Sequence, residues 1–198
     1  MRKILLSLIS ILFICCSITQ VNAAEQKDLR ETYILDPNHT YVMWHIDHFG
    51  FSEPSGKWFA NGTIMFDKDK IQNCSINAYI DVADVVTGIS KLDEHLKGGD
   101  FFNVVQFPKA TFVSTRIEST SNLTAKVEGT LTVKGIAQLV VLDVIINKIG
   151  VSPLNQLPTI GFTATTKVKR SDFGITAYLP GLADDVSLEI QGEATLKK

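Results

Sequence analysis

The chain has 198 residues, 45% of them hydrophobic, which is enough for one domain with a sizeable core. Its charges nearly balance, with 19 Lys and Arg against 21 Asp and Glu. Because no excess of basic side chains is available to neutralise phosphates, the composition argues against nucleic acid as a partner.

Residues 1–23 have the pattern of a cleaved secretory signal peptide. Arg2 and Lys3 precede the apolar run ILLSLISILFICCSI, and VNA supplies small or β-branched residues before a cleavage point after Ala23. An uncleaved membrane anchor is the alternative, although the run is barely long enough to span a bilayer and no basic flank follows it. The pattern favours cleavage and export.

The cysteines leave a third alternative at the N-terminus. Cys15 and Cys16 end the apolar run, but neither follows the small residue that processing of a lipoprotein anchor uses. If cleavage removes both, only Cys74 remains, and the exported chain has no internal disulfide. Core burial and sheet hydrogen bonds must then stabilise the fold.

Period-two alternation of apolar and polar residues dominates the rest of the chain. Residues 24–31 are polar and aperiodic, so we expect a flexible N-terminus there and one folded domain over residues 32–198. In LTAKVEGTLTVK, the positions of Leu123, Val127 and Leu131 share one face, while lysines and threonines occupy the other. The same pattern predicts eight strands: Tyr41–Phe49, Phe59–Phe66, Ile76–Val85, Ala110–Ile117, Leu123–Lys134, Leu139–Ile149, Ile160–Lys169 and Asp185–Leu196.

One segment, near residues 90–98, departs from this alternation. Leu92 and Leu96 are four residues apart, Ser90 and Asp93 have the spacing of a capping box, and Gly98 follows as a stop signal. The segment therefore predicts a short helix on an all-β scaffold.

Eight antiparallel strands can close into a barrel or split into a sandwich. An eight-stranded barrel has an interior just wide enough to be filled by side chains or to hold one ligand. Small residues recur on the predicted inward faces, and they weakly favour a cavity: Ala78, Ala125, Gly129, Ala164 and Gly192.

Three of the four histidines fall within the stretch HTYVMWHIDHFGF, which raises the possibility of a metal site. On a regular strand, however, His48 shares the apolar face of Trp44 and Ile46, whereas His45 points outward. His39 lies before the strand, too far from His45 to share an ion with it. We expect His48 to be a lone polar group in an apolar wall.

No catalytic motif supports enzymatic function. The sequence contains no G-x-S-x-G, H-E-x-x-H or C-x-x-C. We predict that the protein is not an enzyme and holds no metal, and a histidine-based, metal-assisted enzyme ranks third among the alternatives.

Several segments together resemble the YceI-like family of bacterial periplasmic proteins. The matching pieces run in the family's order over residues 33–194: YILDPNHTYVMWHIDHFGFS, GKWF, LDEHLKGGDFFNVVQFPKATFVS, GTLTVKG and VKRSDFGI. The resemblance implies a lipocalin-like barrel in the periplasm that holds a polyisoprenoid, an isoprenoid quinone or a related amphiphile, with no other cofactor. The polar residues at family motif positions are His39, His95, Asp100, Arg170 and Asp172. Leu92 stands where the family frequently has arginine, which puts a headgroup contact in doubt.

The resulting hypothesis is a carrier with an apolar tunnel for one long chain. Its predicted ligand-binding residues are Val42, Trp44, Ile46, His48, Ile64, Phe66, Ile80, Phe112, Val127 and Phe162. Such a carrier would contact a membrane or a membrane quinone protein transiently. The main alternative is a stress-related periplasmic interaction module whose barrel is packed solid.

Overall fold

The computed structural model describes residues 30–198, so the predicted signal peptide lies outside the described residues. The strands of this region are β1 Glu31–Leu35, β2 Tyr41–His48, β3 Ser55–Phe66, β4 Ser75–Asp81, β5 Lys109–Ser119, β6 Thr124–Val133, β7 Ile136–Val151, β8 Pro158–Lys169 and β9 Leu182–Leu196. One helix, α1 Ser90–Lys97, lies between β4 and β5, and short 3-10 turns cover Ile71–Asn73, Val82–Asp84 and Arg170–Phe173. No helix in residues 30–198 is both long enough and apolar enough to cross a membrane.

The strands close into one antiparallel barrel. Each strand from β3 to β8 pairs with the next in sequence. β1 and β2 together fill the place between β3 and β9 and so close the barrel. β2 pairs with one part of β3 and of β9, and β1 pairs with the remaining part of both strands. The predicted eight-stranded barrel with a short helix is therefore confirmed, and β1 is an additional strand that shares one of its eight positions.

The break between β1 and β2 is bridged by a buried hydroxyl. Thr40 Oγ1 donates to the carbonyl oxygen of Glu193 at 3.1 Å and accepts from the backbone N–H of Glu193 at 3.2 Å. The N–H of Asp36 donates to the same carbonyl, and the carbonyl of Thr40 accepts from the N–H of Ala60. The side chain of Thr40 thus supplies hydrogen bonds that the interrupted strand cannot make, which explains why a threonine is completely buried here.

Alternation places the core inside the barrel as predicted. On β6, Ala125, Val127 and Gly129 are buried while Lys126 is exposed. Leu123 was expected to point inward, but it precedes the strand and its side chain is exposed. The first strand was also missed: β1 begins at Glu31, inside the segment predicted to be flexible, because five residues give too little alternation to detect.

Helix α1 lies where it was predicted and ends at Gly98, but its N-terminus is capped differently. The carboxylate of Asp93 accepts from the N–H and the hydroxyl of Thr87, at 2.8 and 2.7 Å, and Ser90 makes no capping bond. The capping-box prediction was therefore wrong, since the preceding loop provides the donors for Asp93. Leu96 is buried, and Leu92 packs against the same core cluster.

Candidate functional site

The barrel interior contains a cavity of about 650 Å³, here called the upper chamber. It opens where the β2–β3 loop, α1 and the β8–β9 connection meet, and exposed side chains of Phe49, Ile89 and Tyr178 border this mouth. The rest of the lining is mainly aliphatic and aromatic, including Trp44, Trp58, Leu96, Phe101, Phe102, Val168, Ile175, Leu182 and Val186. The chamber can receive an apolar group from outside.

A second cavity of about 180 Å³, the lower chamber, extends toward the opposite end of the barrel. Apart from Thr40, Thr166 and the thiol of Cys74, its lining consists of hydrocarbon side chains. Polar lining groups such as His95 and Arg170 belong to the upper chamber instead. Polar groups therefore lie near the mouth of the interior, in the upper chamber, and hydrocarbon side chains line its other end, in the lower chamber.

The lower chamber borders a turn over residues 67–74, organised by Asp67. Its carboxylate accepts from Asn73 Nδ2 at 2.8 Å and from the N–H groups of Asp69 and Lys70. The hydrogen bond from Asn73, followed by the backbone donors, keeps the pKa of Asp67 below its usual value despite the opposing effect of burial. Ile71 and Cys74 of this turn face the chamber.

Cys74 is a free, buried thiol in the wall of the lower chamber. Its sulfur accepts from the N–H of Asp67 at 3.2 Å. Burial raises the pKa of Cys74 above its usual value, so the reactive thiolate is disfavoured. In this environment the residue behaves as a small apolar wall group.

Four aromatic rings that line the two chambers lie over glycines, and one of them is the ring of Phe49 over Gly181. A Cβ atom added at Gly56 would be 2.7 Å from the ring of Trp44, and one at Gly192 would be 2.3 Å from the ring of Phe162. Phe112 lies over Gly129 in the same way. The small inward residues were expected to favour a cavity, and a cavity is present, but the room left at Gly129 and Gly192 is itself occupied by aromatic rings.

The two tryptophans of the upper chamber differ in their hydrogen bonding. Trp58 Nε1 donates to the carbonyl of Val82 at 3.0 Å. Trp44 Nε1 is buried and has no acceptor. Trp44 therefore fits its site by the shape of its ring against Gly56, and its indole N–H contributes no hydrogen bond to the fold.

Arg170 is the permanently charged residue among those that line the upper chamber. The residue is 5% exposed, and its guanidinium donates to three backbone carbonyls: Ala183 at 2.7 Å, Leu182 at 2.8 Å and Ile175 at 3.1 Å. Burial lowers the pKa of Arg170 while Asp184 opposes this effect, and an arginine remains protonated in either case. The residue fixes the β8–β9 connection at the mouth and places a positive charge beside the chamber.

His95 connects α1 to the rest of the mouth through ring contacts. Its ring meets the edge of Phe101 at 5.1 Å and of Tyr178 at 6.0 Å between centroids. Tyr178 belongs to the β8–β9 connection, so these contacts join two of the three segments that form the mouth.

All ten predicted wall residues line a chamber. Trp44, Ile46, His48 and Ile80 line the upper one, Ile64, Phe66, Val127 and Phe162 line the lower one, and Val42 and Phe112 border both. Contact of these residues with a ligand stays a prediction.

The environment predicted for His48 was wrong. His48 lines the upper chamber only at its mouth, where it is exposed with its ring against Phe49 at 4.8 Å, and it is not enclosed by apolar side chains. The pairing of β2 with β9 shifts register between Ile46 and His48, which interrupts the regular alternation that the prediction assumed.

Two of the other polar motif residues, His95 and Arg170, line the upper chamber together, but the remaining three lie outside both chambers. His39 is exposed in the β1–β2 turn, where its Nδ1 lies 2.8 Å from Asp36 Oδ2. Asp100 and Asp172 are exposed and line neither chamber. Within residues 30–198, no group of three or more His, Cys, Asp or Glu is placed to hold a metal ion.

Sequence reasoning missed several wall residues. The alternation Trp58, Ala60, Ile64 could have revealed Trp58, but Phe101, Phe102 and Tyr178 lie in connections without periodicity. Only the folded chain brings these connections to the mouth.

Comparison with known proteins gives a consistent result. The sequence model of the family described as YceI-like domain matches residues 33–194 of the chain. A UPF0312 protein of Pseudomonas savastanoi pv. phaseolicola is 33% identical over 171 residues, covering 84% of this chain and 87% of that protein. The crystal structure of Burkholderia cenocepacia BcnA is similar with a TM-score of 0.73 and 26% identity, covering 81% of this chain and 99% of that one. A polyisoprenoid binding domain from Saccharophagus degradans has a TM-score of 0.66 and covers 83% of this chain and 98% of that domain, but at 14% identity the similarity is one of fold.

Proposed function

The chain belongs to the YceI-like domain family, and from this premise we propose that it binds one long-chain isoprenoid, isoprenoid quinone or similar amphiphile inside the barrel and carries it through the periplasm. The same fold serves a polyisoprenoid binding domain in Saccharophagus degradans. Export is supported by the signal-peptide pattern of residues 1–23.

The observation that carries the proposal is the graded interior. Hydrocarbon side chains line the lower chamber almost completely, while His48, His95 and Arg170 lie toward the mouth of the upper one. An amphiphile would therefore enter tail first and leave its polar end near the mouth. The positive charge of Arg170 favours a headgroup that presents oxygen atoms.

The volumes give an approximate capacity. At ~30 Å³ per non-hydrogen atom, the liquid volume of one water molecule, the two chambers together hold about 28 such atoms. Burial of that many methylene-sized groups gains roughly 20 kcal/mol relative to water, before the cost of ordering the chain. Because a bilayer offers the same chain an equally apolar environment, transfer between membrane and barrel would be nearly neutral and reversible.

Two alternatives fit the structure less well. A solidly packed interaction module requires a filled barrel, whereas the chambers measure about 650 and 180 Å³. A histidine-based metal enzyme requires converging ligands, and residues 30–198 do not provide them.

The test is organic extraction of the purified protein followed by mass spectrometry. We expect an amphiphile with one long apolar chain, at a constant molar ratio to protein. Trp44→Asp, which places a charge in the upper-chamber wall, should yield none, while the matched variant His39→Ala, altered outside the barrel, should yield the same amount as the wild type. Blank extracts from repeated preparations, together with no uptake of added prenol or quinone, would refute the proposal.

A further inference from the structure

Exposed apolar side chains on three separate segments surround the mouth of the upper chamber. Phe49 and Phe51 belong to the β2–β3 turn, Ile89 precedes α1, and Tyr178 lies in the β8–β9 connection. Their exposed fractions are 48, 90, 61 and 56%, and we call these four residues the apolar rim. A single exposed apolar residue is ordinary, but a cluster of four at one opening indicates a surface that a partner covers.

The β2–β3 turn presents its aromatic residues at a conformational cost. At its centre, Phe49 and Gly50 both have a positive φ, 57° and 73°, and the N–H of Phe51 donates to the carbonyl of His48 at 3.0 Å. Gly, Asn and Asp are the usual residues in turns of this kind, because a bulky side chain is strained at positive φ. Tyr178 also has a positive φ, of 63°. Two aromatic residues of the rim thus have conformations that stability alone disfavours, which is common at functional sites.

Contacts between the segments hold the apolar rim in place. The N–H of Phe49 donates to the carbonyl of Gly181 at 3.1 Å, and an added Cβ at Gly181 would be 2.3 Å from Cε1 of the Phe49 ring. Tyr178 meets His95 of α1 at 6.0 Å between ring centroids. Phe51 lines neither chamber, so its exposed ring is available to a partner outside the barrel.

The charges of the rim segments do not favour an anionic partner. Residues 47–54, 89–97 and 170–181 contain five carboxylates and three basic side chains. Of these three bases, Arg170 is buried and donates to backbone carbonyls, and Lys97 forms an ion pair within α1 at 2.9 Å. These segments therefore lack a basic patch of the kind that binds acidic lipid headgroups, and their partner must be recognised by its apolar part.

The ligand class of the proposed function selects a lipid bilayer among apolar partners. Each carbon that leaves an apolar environment for water lowers the population of the exposed state roughly fourfold. An amphiphile with a long tail therefore crosses water between membrane and barrel very slowly. If the rim lies in the headgroup region of a bilayer, the mouth opens onto the acyl chains, and the tail moves directly between two apolar environments. Aromatic side chains are enriched at this depth of a membrane.

We propose that the apolar rim is a membrane-docking surface: its four side chains insert into the interface of a phospholipid bilayer and place the mouth against the membrane while the ligand enters or leaves. This inference rests on the proposed function and adds to it the membrane partner and the orientation of the barrel. Because apolar insertion drives the contact, neutral phospholipid suffices, and added salt does not release the protein.

The first test measures co-flotation of the protein with phosphatidylcholine vesicles. It uses the form that begins at Ala24, the N-terminus predicted for the exported protein, so that the apolar run of residues 4–18 takes no part. We expect the wild type to bind these vesicles at low and at high salt alike, and no more strongly when phosphatidylglycerol is added. Phe51→Ser should weaken the binding on the order of tenfold, because the variant has no phenylalanine ring to bury in the membrane.

Leu154→Ser is the matched control for Phe51→Ser. Leu154 is 88% exposed but lies in the β7–β8 turn, and β8 runs from this turn toward the mouth, so Leu154 is at the opposite end of the barrel. Its replacement should leave vesicle binding unchanged. Both variants alter exposed side chains, and circular dichroism checks that they fold. Phe51→Thr and Leu154→Thr repeat the comparison if either serine variant does not fold.

The second test separates docking from ligand binding. Radiolabelled geranylgeraniol is loaded into phosphatidylcholine vesicles, and its transfer to delipidated protein is followed in time, at a vesicle concentration below that of half-maximal protein binding. Phe51→Ser should slow the transfer on the order of tenfold and leave the final amount bound unchanged, because Phe51 lines neither chamber. Damage to the barrel itself would reduce the final amount as well.

The docking surface is wrong if the wild type does not bind phosphatidylcholine vesicles, if Phe51→Ser and Leu154→Ser bind them alike, or if attachment requires phosphatidylglycerol and disappears in salt. It is also wrong if the wild type attaches to bacterial membranes but not to vesicles of their extracted lipids, because a membrane protein would then be the partner. Failure of the proposed function looks different, since then vesicle binding persists but no geranylgeraniol is taken up.

Discussion

Replacement of Arg170 by methionine removes three hydrogen bonds from the mouth of the barrel at once. The guanidinium donates to the carbonyls of Ala183, Leu182 and Ile175, and methionine fills a similar volume without any donor. Leu182 and Ile175 are themselves buried in the core cluster beside the upper chamber. The three carbonyls therefore lose their partner in a place that water does not reach freely.

Two opposing effects determine the size of the loss. A buried polar group without a partner costs about 1–3 kcal/mol, so three carbonyls cost at least ~3 kcal/mol. Removal of the buried charge relieves a desolvation penalty, but the three charge-assisted bonds at about 1.5–3 kcal/mol each have largely offset this penalty in the native state. We therefore expect Arg170→Met to lower the free energy of unfolding by about 3 kcal/mol, and Arg170→Lys, which keeps the charge but not the planar fork of donors, to lower it by less.

The assay is urea unfolding followed by tryptophan fluorescence, since Trp44 and Trp58 are both buried in the barrel. Lys169→Met is the control: its ion pair with Asp185 at 3.2 Å is exposed, and its loss should cost less than ~1 kcal/mol. A loss below ~1 kcal/mol for Arg170→Met would refute the reasoning, because it would mean that water or a rearranged loop satisfies the three carbonyls.

Three further predictions concern single side chains. Trp44→Phe should retain lipid uptake, because the indole N–H has no acceptor to lose, and abolished uptake in a folded variant would show that this N–H serves the ligand. The hydrogen bond that His39 donates to the carboxylate of Asp36 raises the pKa of His39. The pair therefore stabilises the fold most fully below the unfolded histidine pKa, and its contribution disappears as the pH rises through the folded pKa. In acid the contribution disappears again, because Asp36 becomes protonated. Asp36→Asn removes the charged acceptor and should lower the pKa of His39 in an NMR titration. An unchanged His39 pKa would show that Asp36 is not the cause of the shift. Burial raises the pKa of the Cys74 thiol, so in the folded protein Cys74 should react with a soluble thiol reagent far more slowly than it does in the protein unfolded by urea. Equal reaction rates in the two states would show that the thiol is accessible.

Local pattern was sufficient to predict most of the scaffold. Strands of ten or more residues such as β6 and β8 have enough period-two alternation to define both their extent and their inward face. The same rule placed Trp44 and Ile46 on the chamber wall. It failed at His48, where a shift in register interrupts the alternation, and at β1, which is too short to show it.

The site itself depended more strongly on long-range packing. Phe101 and Tyr178 lie 77 positions apart in irregular connections, and no periodicity indicates that they meet around His95. The inward-facing glycines depend on long-range packing in the same way. Gly129 and Gly192 indicate space near the wall, but the sequence does not show that rings from adjacent strands fill this space.

By itself, the sequence determined the all-β class, the short helix, the faces of the long strands and the family, because these follow from local periodicity and from ordered motifs. The tertiary structure alone decided that the interior holds two chambers, that Phe112 borders both of them and that Arg170 uses three of its donors on the backbone of the β8–β9 connection and of the start of β9. The physical reason is that a strand's alternation fixes the direction of a side chain, whereas the room available to it depends on residues that only barrel closure brings next to it.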